Sequence, residues 1–139
     1  MKRKDIYLFV RKWFQAITNH APLQKVEGML VDEGLRMEFP EGKMETIEEF
    51  EDWYETVTNT FFDQVHDIRN IEIKFNDNSA YLTILVNWQA HTWEAPAAYS
   101  ERIDSDAVQT WEIVENENGD LKIKQYIVEA LKDNTKKRK

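Results

Sequence analysis

The chain has 139 residues, a formal net charge of −8 and no Cys. That length fits one domain with a sizeable core, and 42% hydrophobic with 12% aromatic residues excludes a disordered chain. Without Cys there are no disulfides, zinc–thiolate sites, iron–sulfur clusters or thiol nucleophiles, and a pI near 4.9 argues against nucleic acid as a partner.

The first predicted element is an amphipathic helix over Lys4–Asn19. Ile6, Val10, Trp13 and Ile17 recur at helical spacing, and Phe9, Phe14 and Ala16 widen the stripe. Asn19-His20-Ala21-Pro22 breaks it, and Pro22 suits the first turn of a short second helix ending near Gly28. The period then changes to two. Leu35, Met37 and Phe39 alternate with Arg36 and Glu38, a half-buried strand ended by Pro40-Glu41-Gly42.

Thr46 with Glu49 three residues on reads as a capping box. The helix it opens carries Ile47, Phe50, Trp53 or Tyr54, and Val57 to about Asn59. Strands follow over Val65–Phe75 and Ala80–Trp93, joined by Asn76-Asp77-Asn78. Glu94-Ala95-Pro96 and the polar run Ser100–Asp106 read as a loop. The last two strands, Ala107–Glu115 and Leu121–Ala130, flank Asn118-Gly119, a strong hairpin signal. The expected domain is residues 1–131. Residues 132–139 form a basic tail of charge +4, read as a disordered, solubilising end, which leaves −12 on the rest. Helices on one side of a bent antiparallel sheet make an α+β layer.

Ile6–Val10 is too short for a signal peptide and is interrupted by Arg11 and Lys12. No stretch is long and apolar enough for a membrane span. A cytoplasmic protein without membrane or nucleic-acid partners is expected.

The order of elements, with "ETIEEFEDWY", "VHDIRNIEI", "NDNSAYLTILVNW" and "VQTWEIVENENGDLKIKQY", resembles the NTF2-like (SnoaL-like, cystatin-like cone) superfamily over roughly residues 4–131. The resemblance implies a curved sheet wrapped round the long first helix, with a pocket at the wide end of the cone. It implies little about chemistry, because the superfamily includes isomerases, dehydratases, cyclases and non-catalytic association domains. The expected inward residues are Leu35, Met37, Phe39, Leu82, Ile84, Val86 and Trp88, with Gln109, Trp111, Ile113 and Tyr126 from the late strands and Phe50, Tyr54 and Val57 from the third helix. A one-residue slip would instead turn Tyr81, Thr83, Asn87, Gln89 and His91 inward.

Ketosteroid-isomerase chemistry needs a carboxylate base, a protonated Asp and a Tyr. By the resemblance those places fall on Phe39, near Gln109 and near Trp13, none of which supplies the required group. A dehydratase- or cyclase-type site would use His66 with Asp63 or Asp67, or His91, and Tyr54 or Tyr126 to orient a carbonyl or water. Each His also reads as a hydrogen-bonded structural residue. His20, His66 and His91 lack metal-ligand spacing, so neither metal nor cofactor is expected.

Five Trp in a chain of this length suit a flat apolar ligand in a concave site. The expected ligand-binding residues are Trp88, Gln109, Trp111, Tyr54, Phe39, Phe50 and Tyr126, with Asn87 as a further polar group. Alternatively Trp88 or Trp111 plugs the cone. Three functions therefore stand open: binding of a small apolar or aromatic molecule, a non-catalytic association domain, or a small isomerase or dehydratase using His66 or a nearby Asp with Tyr54. A two-fold homodimer through the sheet face bearing Tyr81, Thr83 and Leu85 is the expected assembly.

Overall fold

A computed structural model describes residues 1–40 and 42–135. Its elements are α1 (Arg3–Thr18), α2 (Leu23–Glu27), β1 (Arg36–Phe39), β2 (Gly42–Met44), α3 (Ile47–Thr60), β3 (Phe61–Asn76), β4 (Ser79–Thr92), β5 (Glu101–Glu115) and β6 (Leu121–Asp133). The strands form one six-stranded sheet in the order β2-β1-β6-β5-β4-β3. Long strands twist and curve, and the concave side is filled by the helices. Ile6, Phe9, Val10, Trp13, Phe14, Ala16 and Ile17 bury the apolar stripe of α1 in one cluster with the inner face of the sheet.

Register settles which face of β4 turns inward. Leu82, Ile84 and Val86 stand opposite Trp111, Gln109 and Ala107 of β5, and all six are buried. Tyr81 and Leu85, on the other face, are 45% and 38% exposed.

The run Ser100–Asp106, expected as loop, is strand from Glu101 onward. The cause lies across the sheet: Asn87–Thr92 of β4 need partners and find them in Glu101–Asp106. The polar side chains of this stretch are satisfied by one another. Asn87 is buried on the outer face, where its amide NH2 donates to Asp104 Oδ1 (2.8 Å) and Asp106 Oδ1 (2.9 Å) and its carbonyl accepts from Gln89 Nε2 (2.9 Å). The Asn87 bond, with a second from Asn134, holds the Asp106 carboxyl below its ordinary range.

Two further features depart from the sequence reading. Gly42–Met44 is a strand paired with β1, too short to show a period. The sheet is not wholly antiparallel, because β1 runs parallel to β6, with Met37 opposite Tyr126. The long excursion through α3 and β3–β5 makes that parallel return possible. Strand β6 continues past residue 131 to Asp133, and Lys136–Lys139 of the basic tail lie outside the described residues. Among the described residues no helix is long and apolar enough to cross a membrane.

The capping box at α3 forms with a shift. The Glu49 N–H donates to Thr46 Oγ1 (3.2 Å), and the Glu49 carboxylate accepts from the backbone N–H of Glu45 (3.1 Å), one residue before the cap. Thr46→Ala removes the acceptor of the Glu49 N–H, and urea denaturation should show a loss of about 1 kcal/mol, with an unchanged slope if the fold is intact.

Candidate ligand cavity at the wide end of the cone

The narrow part of the cone is closed by aromatic side chains. The ring of Trp13 lies 6.1 Å from those of Phe50 and Trp111 and 5.7 Å from Tyr126, and Trp111 lies 4.8 Å from Tyr126. Toward the wide end the filling stops. A cavity of about 110 Å³ remains, walled by Phe39, Trp53, Phe61 and Trp88, with Gln64, His66, Gln109 and Tyr126 as polar groups. Phe39 and Trp53 stack at 4.4 Å, which holds β1 against α3 at its rim.

Each polar group is held by a specific partner. Gln109 Oε1 accepts from Trp111 Nε1 (3.1 Å), which leaves the amide NH2 to donate. Gln64 Oε1 accepts from Trp88 Nε1 (3.0 Å), and its NH2 meets His20 Nε2 (2.7 Å). His66 Nδ1 is bonded to Thr18 Oγ1 (2.9 Å), and its ring stacks on Phe14 at 5.2 Å. Burial pushes the His66 imidazole down to about 4 and raises the Tyr126 phenol, whose hydroxyl lies beside Trp13 and Gln109. At neutral pH the cavity wall therefore carries an uncharged imidazole and an intact phenol. Trp13 also lines the cavity, and its Nε1–H has no hydrogen-bond partner although it is shielded from solvent.

Of the residues expected to line a ligand, the structure brings together Trp88, Gln109, Phe39 and Tyr126. Trp111 and Phe50 lie beneath them in the core. Tyr54 is drawn away from the cavity, because its hydroxyl donates to Ala21 O and ties α3 to the end of α1. Asn87 stands on the outer face. His66 faces the cavity but pairs with neither Asp63 nor Asp67: Asp63 is exposed, and Asp67 is engaged by Arg69 Nε at 2.7 Å. His91 is on the outer face, bonded to Ser100 Oγ at 3.2 Å and stacked on Phe62.

Sequence reasoning placed Trp53 only as one choice for the apolar stripe of α3, and it missed Gln64. The β3–β4 register shifts between Phe62 and Val65, where Asp63 takes a positive φ of 50°. That bulge breaks the alternation and turns Gln64 inward. No periodicity could have found it.

A larger, solvent-open groove of about 710 Å³ runs outside, between α1 and β3, past Arg11, Asp67 and Arg69. His66 borders both spaces. Among the described residues no three His, Cys, Asp or Glu are grouped to hold a metal ion.

Because the folded chain resists protonating His66, the unfolded chain takes up that proton first as pH falls. Above about 6.5 the effect vanishes. Between about 6.5 and about 4 it lowers stability progressively, by up to about 3 kcal/mol. Urea denaturation at pH 7 and 4.5 should show a smaller acid-induced loss for His66→Phe than for the native chain.

No family model and no curated protein matches the chain. Solved structures do. Hexachlorocyclohexane dehydrochlorinase LinA-type3 from Novosphingobium barchaimii superposes with a TM-score of 0.76 at 15% identity, over 94% of this chain and 88% of that one. An NTF2-like superfamily protein from Salmonella enterica serovar Typhimurium gives 0.75 at 14%, over 89% and 87%. A protein of unknown function with a cystatin-like fold from Nostoc punctiforme gives 0.71 at 12%, over 88% and 86%. At such identities the likeness shows the fold alone, and that fold is the NTF2-like, cystatin-like cone.

Proposed function

We propose that the protein binds a small, flat, largely apolar molecule carrying one acceptor oxygen in the cavity at the wide end of the cone. One observation carries the reading: an aromatic-walled space of about 110 Å³ into which few polar groups converge. It is of the same order as the roughly 150 Å³ apolar cavity known to take up benzene. The oxygen follows from the orphaned Trp13 Nε1–H, a donor in the cavity lining. A buried donor without a partner costs about 1–3 kcal/mol, which a ligand oxygen would recover.

Benzaldehyde and styrene have nearly the same shape and differ in that oxygen. In NMR titrations both should produce saturable shifts at Trp53, Trp88 and Gln109, with benzaldehyde about tenfold tighter. If neither saturates, the binding reading fails. If both bind equally, only the acceptor oxygen is lost from it.

A catalytic reading rests on His66. The imidazole is uncharged at neutral pH and borders the cavity, so a ring nitrogen can accept a proton from a bound carbon acid, against the cost that burial places on the imidazolium. One fold neighbour is a dehydrochlorinase. Exchange of an acidic C–H of a bound cyclic ketone with deuterated solvent should then be catalysed by the native chain and fall by at least tenfold in His66→Gln. Exchange at the same rate in both removes this reading.

An association role rests on the outer sheet face, where Phe62, Val65, Tyr81 and Leu85 of β3 and β4 are 38–50% exposed. Self-pairing of this face about a two-fold axis would cover them. Light scattering should give twice the chain mass, and Tyr81→Lys with Leu85→Lys should halve it. A monomeric native chain removes the association reading.

A further inference from the structure

Three residues join the surface to the cavity wall, and the chemistry at one end fixes the rest. The indole N–H of Trp88 can only donate, so the Gln64 atom 3.0 Å away is the carbonyl oxygen. The NH2 of the same amide therefore faces His20 Nε2 at 2.7 Å. An NH2 can only donate. His20 Nε2 must then offer its lone pair, and the ring carries its proton on Nδ1.

The scaffold around this chain is firm. Gln64 is buried and is turned inward by the β3 bulge. His20 sits at a positive φ of 49°, just after α1, in a segment pinned by the Ala21 N–H to Ala16 O and by the Tyr54 hydroxyl to Ala21 O. The Trp88 ring is braced edge-on against Phe61 at 5.0 Å. Outward, His20 shares a surface hollow with Glu51, Asp52, Tyr54 and Glu55 of α3. On the β3 side it meets the neutral Gln64 amide, with Asp63 preceding that residue.

We propose that Gln64 is a positioning residue that couples the proton on His20 to the placement of Trp88 on the cavity wall. An imidazolium donates from both nitrogens. When His20 Nε2 gains a proton, the Gln64 NH2 facing it loses its acceptor, and the amide must turn its oxygen toward His20. That turn removes the acceptor of Trp88 Nε1–H. The indole is then left with an unpaired donor against an apolar wall and moves. Lower pH thus reshapes the cavity without any carboxylate entering it. The reshaping itself does not depend on a ligand. Only its effect on affinity rests on the binding reading, and there benzaldehyde affinity should change between pH 7.5 and 5 in step with the Trp88 signal.

The test follows the Trp88 indole N–H by NMR in the ligand-free chain from pH 7.5 to 5, alongside the His20 ring, with Trp88→Phe used to assign the signal. The expected result is one shared midpoint. His20→Asn removes the titratable ring on a residue type that tolerates positive φ, so no imidazolium faces the Gln64 amide and the indole signal should not move as pH falls. The nearby carboxylates, and His66 opposite Trp88 on β3, are untouched by that change, and a titration that persists in it belongs to them and overturns the proposal. So does an indole signal that ignores the His20 midpoint in the native chain. Gln64→Glu supplies acceptors to both neighbours, and there the indole should hold its bond at low pH. Loss of the bond in that variant also counts against the proposal. If the indole follows His20 while benzaldehyde never binds, the coupling stands and the binding reading alone fails.

Discussion

The contact on which the rest of the fold depends is the packing of Trp13 against three other rings. Phe50 comes from α3, Trp111 from β5 and Tyr126 from β6. One side chain thereby joins α1 to α3 and to the β5–β6 hairpin, both distant from it in sequence. Trp13 is 1% exposed, and burial of aromatic groups of this size contributes about 1.5–3 kcal/mol each. The edge-on and tilted geometries add specificity to that burial. The same contact closes the narrow part of the cone, and the cavity lies on its outer side.

What lies on that outer side is set by backbone irregularity. A regular β3 would alternate in and out along its whole length. The bulge at Asp63 and Gln64 breaks the alternation, brings an amide to the wall, and leaves His66 between the cavity and the external groove. The polar groups of the cavity are consequently few and individually held: Gln109 by Trp111, Gln64 by Trp88 and His20, His66 by Thr18. The indole N–H of Trp13 is the exception, a donor without an acceptor.

Much of the architecture was legible in the residues because burial imposes periods. The helical stripe of Ile6, Val10, Trp13 and Ile17 and the alternation of Leu82, Ile84 and Val86 are direct consequences of one-sided packing. The strand over Glu101–Asp106 was not legible, since its polar side chains are satisfied by Asn87 and its neighbours, a relation between strands that no single segment displays. Composition pointed to a site lined by Trp and Tyr, but the partition of those rings between core and cavity depended on tertiary depth. Tyr54 shows this most plainly: it has the polarity of a ligand group, and its hydroxyl is spent on Ala21 O. Gln64 is hidden for the opposite reason, a polar residue turned inward only by a register shift.

The parallel pairing of β1 with β6 has a consequence for the order of assembly. Met37 and Tyr126 come from opposite ends of the chain, so closing that pair carries the entropic cost of a very long loop. Phe39 meets Tyr126 at 5.3 Å just beyond it. The β3–β4 and β4–β5 hairpins can form locally, but this junction must wait for the last strand. A chain emerging during synthesis thus has most of its sheet before it has an enclosed interior, and the wall beside Tyr126 is among the last surfaces to exist.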